Sequence, residues 1–169
     1  GDKGRVLGFS ALQLAHAPRT TRLPAPELTL ADLGPRGLVS HAPAPTARFG
    51  APGDPATAAA LGYLHANCGH CHNELGTSWP DTQVVLRLNV EELVAGETSI
   101  ARTTVGRPLQ YWRHPTLRTR VVAGEPDNSA LYVRMVERGS RAQMPPLATK
   151  HVDPAGTALI RAWITSLPR

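Results

Sequence analysis

The clearest hydrophobic pattern lies at the end of the chain. Leu159, Ile160, Trp163, Ile164 and Leu167 recur at three- and four-residue intervals and form one apolar stripe of a helix. Asp153 can cap that helix, Pro154 occupies its first turn, where a missing N–H costs nothing, and Pro168 ends it. The same start signal, Asp54-Pro55, opens a second helix through Ala56 to Asn67, with Ala60, Leu61, Tyr63 and Leu64 available for packing. A third runs from a cap at Asp127 or Ser129 to about Arg138, with Leu131, Tyr132, Met135 and Val136 on one side and Gly139 as its stop. From Gln83 to Val90 the pattern alternates. Val84, Leu86, Leu88 and Val90 face one way, and Val85, Arg87 and Asn89 the other. That predicts a half-buried strand, and a short extended strap carries the same signature. Leu117 to Val122 is a candidate second short strand, followed by a turn at Gly124 and Pro126. There is no internal repeat.

Residues 1–53 read differently. Pro18, Pro24, Pro26, Pro35, Pro43, Pro45 and Pro52 punctuate them, and each fixes its own backbone and biases the residue before it away from helix. Two apolar groups remain: Val6, Leu7, Phe9, Leu12 and Leu14, then Leu23, Leu28, Leu30 and Leu33. They predict an irregular arm packed on a core formed by residues 54–169. A disordered linker is the competing reading.

Composition narrows the class. With 169 residues, 41% apolar and 18% charged, the chain can bury a core and is not disordered by composition. No apolar run approaches the roughly 18 residues that a transmembrane helix needs. The chain starts at Gly1 with no Met and no visible signal peptide, the expectation being a processed form of an exported, periplasmic protein. The formal charge is +5, and only Lys3 and Lys150 are lysines. Arginine, alanine, proline and glycine in place of lysine and isoleucine is also what a GC-rich genome produces, so mutational bias and a selected docking surface both account for the basic balance. With no run of adjacent basic residues and few aromatics, a nucleic-acid groove is not expected.

Cys68 and Cys71 are the only cysteines, too few for a disulfide scaffold. With His72 they form Cys-x-x-Cys-His, the attachment signature of c-type haem. On a helical turn, residues three and four apart project to one side, so two thiols can reach the vinyl groups along one haem edge while the imidazole meets the iron. Two rival readings fit less well. Cys-Gly-His-Cys also occurs in thiol–disulfide oxidoreductases, but those place it at a helix N-terminus that activates the first thiol, whereas here it follows a helical segment. A zinc site needs further ligands at suitable spacing, and no second cysteine pair exists.

A haem iron in an electron carrier usually has both axial positions filled. Met paired with His raises the reduction potential relative to two histidines, because a thioether is a softer and weaker donor to ferric iron. Met135 lies mid-helix in a packing pattern and reads as a core filler. Met144 precedes Pro145 and Pro146, a stiff strap that holds a weak ligand with little entropy left to lose, and is the expected distal ligand. The histidine competitors are His16, His41, His65, His70, His114 and His151.

Cys68-Gly69-His70-Cys71-His72, the later Met144-Pro145-Pro146 and a terminal helix carrying Trp163-Ile164 resemble a monohaem class I-type bacterial cytochrome c over roughly residues 54–169. Tyr63 to Asn67 and Gly124 to Tyr132 are similar to a bacterial subgroup of such domains, and Gly8-Phe9 with Gln13-Leu14 is similar to that subgroup's N-terminal segment. The resemblance implies a mainly α cytochrome c fold, three to five helices around one covalent haem c, with an irregular N-terminal arm and one or two short strands. It implies that the first and last helices of the domain cross near the haem edge, with Ala60 and Leu64 meeting Leu159, Ile160 and Trp163. It implies Cys68 and Cys71 as tethers, His72 and Met144 as iron ligands, and an electron-transfer protein rather than an enzyme. A proline that accepts the proximal imidazole's N–H is expected at Pro80, and Pro145 belongs with the haem pocket. Arg113, Arg118 and Arg134 are candidates to neutralise the haem propionates.

The partner expected is a redox protein with an acidic docking face. Two alternatives stay open: a haem c enzyme or gas-binding protein with a displaceable distal ligand, and a haem module of a larger dehydrogenase or multi-subunit electron conduit. The arm and the stretch from Asn73 to Glu125 exceed what a minimal carrier needs, and either could dock a partner or cover the haem.

Overall fold

The structure is a computed structural model and describes residues 10–15, 28–41, 43–44, 47, 49–147 and 150–169. Among them are seven α-helices: α1 (Ala11–Leu14), α2 (Leu30–Leu33), α3 (Pro55–Cys68), α4 (Trp79–Thr82), α5 (Ser99–Thr104), α6 (Ala130–Val136) and α7 (Pro154–Ser166). The chain is mainly helical. Five helices lie within residues 54–169, and the two others are single turns in the arm.

The two proline-opened helices form as their termini dictate. Asp54 accepts from the N–H groups of Ala56 and Thr57, and Asp153 accepts from that of Gly156, so first-turn donors are satisfied while Pro55 and Pro154 have none to lose. The helix α3 packs on α7. Ala60, Leu61 and Leu64 join Ile160, Trp163 and Ile164 in the core, all at 2% exposure or less. At about 25 cal/mol per Å², burying side chains of this size supplies roughly 1.5–3 kcal/mol each. Close approach of the two helices is visible at Gly156, where a Cβ would stand 2.2 Å from Cζ of Tyr63. The Tyr63 hydroxyl then reaches Asp153 Oδ2 at 3.0 Å, tying α3 to the α7 cap.

The described part of the arm touches this core. Leu12 packs against it, and Ser10 Oγ lies 2.7 Å from Nε2 of the buried His65 on α3. Val6, Leu7, Phe9, Leu23, Gly8 and His16 lie outside the described residues.

The expected strands do not form. Gln83 turns the chain in the left-handed region after α4, and residues 84–89 form no regular element and pair with no strand among the described residues. Their polar groups are met by side chains and a turn: Val85 exchanges hydrogen bonds with the Thr103 hydroxyl, Leu86 N–H donates to His72 O, and Leu88 N–H donates to His65 Nδ1. Val85, Leu86 and Leu88 are buried and Val90 is 45% exposed, so the alternation fails at both ends. This is a strap wedged between the 68–72 turn and α5, covered on two sides. The 117–122 segment makes only isolated bridges, Val105 with Val121 and Pro108 with Thr119.

Candidate functional site

The Cys-x-x-Cys-His segment begins on the last residue of α3 and continues as a tight turn. The N–H groups of Cys71 and His72 both donate to Cys68 O, at 3.2 and 3.0 Å. The turn is locked from within by Asn73, which is 1% exposed. Its Nδ2 donates to Gly69 O at 2.7 Å and His70 O at 2.9 Å, and its Oδ1 accepts from Leu75 N–H at 3.0 Å. Nothing in the local sequence pattern marked Asn73, because its role lies in capping carbonyls that a helix end leaves free.

The loop then doubles back onto the motif. A Cβ on Gly76 would fall 2.0 Å from Cys71 O, so only glycine permits the return. The return delivers Ser78, whose hydroxyl donates to Cys71 O at 2.7 Å and lies 3.1 Å from His72 Nδ1. Pro80, expected at this position, sits in α4 and is exposed.

Across the site, α6 and the loop after it bring in Met144. Its main-chain N–H donates to Arg134 O, and the Arg134 Nε donates to Ala142 O, both at 2.8 Å. The Arg134 guanidinium stacks over Trp112 at 4.8 Å. Met135, on α6, is 8% exposed and belongs to the core while also reaching the site.

These elements enclose a cavity of about 390 Å³. Cys68, Cys71 and His72 line it together with Met144, Pro145 and Pro146, so residues more than seventy positions apart share one chamber. Leu64, Leu86 and Leu131 make its wall apolar, and Arg120, Arg134 and Arg138 add cationic groups. No family model, curated protein or solved structure matches the chain.

The electrostatics follow from burial. Desolvation, aided by the nearby Arg134 charge, brings the His72 imidazole down to about 4, so the ring is neutral at pH 7 and offers a lone pair. Burial and the adjacent Cys71 push the Cys68 thiol up to about 12. That is opposite in direction to the depressed pKa of an activated thiol. Among the described residues, no group of three or more His, Cys, Asp and Glu side chains is placed to hold a metal ion.

Of the expected arginines, only Arg134 lines the cavity. Arg113 and Arg118 are exposed, and the Arg118 guanidinium donates to the carbonyls of His114, Leu117 and Pro115. Arg120 and Arg138 line the cavity as well. Arg120 is 8% exposed and donates to the carbonyls of Thr82, Gln83, Thr103 and Pro108. Arg138 keeps a buried Nε with no hydrogen-bond partner among the described residues. Period-two alternation gives no cue for Arg120, since it would place Arg120 on the same face as the exposed Arg118. Of the competing histidines, His151 lines the cavity; His65 is engaged with Ser10 and Leu88, and His114 accepts from Thr116 and Leu117.

Proposed function

We propose that this chain is a one-electron carrier of the c-type cytochrome kind, using a single haem c with histidine and methionine as axial ligands. The observation that carries the reading is the meeting of Cys68, Cys71 and His72 with Met144 around one cavity. Residues chosen from two separate motifs converge on a chamber of about 390 Å³, within the range of cofactor sites.

The chamber fits the group on three counts. Its donor set holds two thiols, a neutral imidazole and a thioether. Its wall is apolar, as a tetrapyrrole face requires. Its orphaned Arg138 Nε and its Arg134 suit a ligand that carries carboxylates. Bound haem c supplies reversible one-electron chemistry at iron. Cys68 and Cys71 would tether it through thioethers, His72 would ligate through Nε2 and Met144 through its sulfur. Packing of α3 against α7, with both helices contributing to the cavity wall, supports the cytochrome c fold.

Two further parts of the proposal are export and a partner. Covalent tethering suits a compartment where lost haem cannot be replaced, which favours the periplasm. The formal +5 charge favours an acidic docking face on the redox partner. A mass spectrum of the denatured, matured protein tests the central reading: a gain of one haem supports it, and the mass of the bare chain refutes it.

A further inference from the structure

The hydrogen bonds around Ser78 determine where the His72 proton sits. A serine hydroxyl has one proton to give. Ser78 gives it to Cys71 O, at the shorter distance of 2.7 Å. Its contact with His72 Nδ1 at 3.1 Å must then run the other way, with the ring donating N–H to the oxygen. A neutral imidazole protonated at Nδ1 has its lone pair at Nε2, and His72 lines the cavity. Ser78 is itself held in place: its carbonyl accepts from Thr82 N–H at 3.0 Å and from the Thr82 hydroxyl at 2.8 Å. Gly76 provides the close return that brings it there.

We infer that Ser78 is the positioning residue of the proximal ligand: it fixes the His72 imidazole as the Nδ1–H tautomer, sets its orientation, and tunes its donor strength toward a bound iron. This deepens the haem reading and rests on it for the tuning. Accepting the Nδ1 proton makes an imidazole more basic, which favours the ferric over the ferrous state. The acceptor here is a hydroxyl already polarised by Cys71 O. Ring orientation, the turn carbonyl and loop closure are therefore coupled through one oxygen.

The test compares matured wild-type protein with Ser78→Ala and Ser78→Thr. All three are first weighed in denatured form for one haem. Expected is an upward shift of the midpoint potential in Ser78→Ala, with an altered His72 Nδ1–H proton resonance, and return toward wild type in Ser78→Thr. A purely structural serine would leave the potential unmoved. If haem is present and Ser78→Ala changes neither potential nor resonance, the inference is overturned while the haem reading stands. If no haem mass is found, the haem reading and the tuning fall together. The tautomer is then decided by the ¹⁵N shifts of His72 in the isolated chain: protonation at Nδ1 upholds that part, and protonation at Nε2 overturns it.

Discussion

The main-chain N–H of Met144 donates to the carbonyl of Arg134 at 2.8 Å, so the loop that carries the thioether is anchored on the helix that carries a cavity arginine. The Arg134 side chain grips the same loop again at Ala142 O. In the proposed cytochrome, Met144 is therefore delivered by a fixed strap. Replacing Met144 with Ala is expected to lower the reduction potential, abolish the sulfur-to-ferric-iron absorption band and admit added ligands such as imidazole. Visible absorption and potentiometry check this; an unchanged spectrum would transfer the assignment to another side chain, with His151 next in line on the cavity wall.

Replacing either Cys68 or Cys71 with Ala removes one tether and leaves the other residues of the cavity in place. The expected outcome is partial or lost covalent retention of haem, read by extracting the denatured protein with acidified organic solvent and weighing what remains. One remaining thioether still adds the full haem mass, so the readouts are the yield of haem-bearing chain and its alkaline pyridine spectrum, which shifts when a vinyl group stays unsaturated; undiminished yield with the wild-type spectrum in either variant would refute the motif.

Gly156→Ala should destabilise the fold by about 1–3 kcal/mol through overpacking. The new methyl meets the Tyr63 ring 2.2 Å away, which outweighs the small gain in helix propensity. Chemical denaturation measures the loss. Pairing the change with Tyr63→Leu should recover part of it, since the obstructing ring is then gone. Additive losses in the double variant would mean that the two helices do not meet there as described.

Arg120→Met should cost at least about 2 kcal/mol, because four carbonyls lose their donor at once in a poorly hydrated place. The damage joins three segments: the strap, the end of α5 and the 105–121 bridges. Hydrogen exchange should therefore accelerate at Val85 and Val121 together. Acceleration at one alone would show that Arg120 is not their common clasp.

His65 makes stability depend on pH with a definite sign. Burial, with Arg87 nearby, holds its imidazole below the ordinary 6.5. The unfolded chain thus takes up a proton before the folded one does, and stability is lost as pH falls below about 6.5 toward the lowered folded value. Thermal unfolding of the matured protein across that window should slope downward toward acid. His65→Gln, which cannot titrate, should flatten the slope. A flat wild-type profile would show that His65 accepts its proton at no cost.

Much of the scaffold was readable in the residues, and the failures have identifiable causes. Asp54-Pro55 and Asp153-Pro154 announce helix starts because capping is a local interaction, and both helices begin there. The Cys-x-x-Cys-His and Met-Pro-Pro segments were each legible alone, while their meeting at one cavity depends on tertiary packing. The strap defeated the alternation rule because it is enclosed by a turn on one side and α5 on the other, so Val85 is buried with Leu86. No short-range pattern marks residues 99–104 as helical, because Thr and Ile have modest helix propensity; α5 is held by the Thr98 side chain capping Ala101 N–H. Pro80 was expected by resemblance at the imidazole, and Ser78 occupies that place through the return at Gly76, which no short-range pattern encodes.

The cradle around Arg120 has an electrical consequence. Among the described residues its hydrogen bonds run to four carbonyls and to no carboxylate, and a guanidinium keeps its proton throughout the range in which proteins stay folded. The chamber therefore carries a standing positive offset that acid and base leave untouched. Any negative charge admitted there meets the same contribution from Arg120 at every working pH, and variation with pH must originate in titratable side chains of the same wall, such as His72 and Asp153.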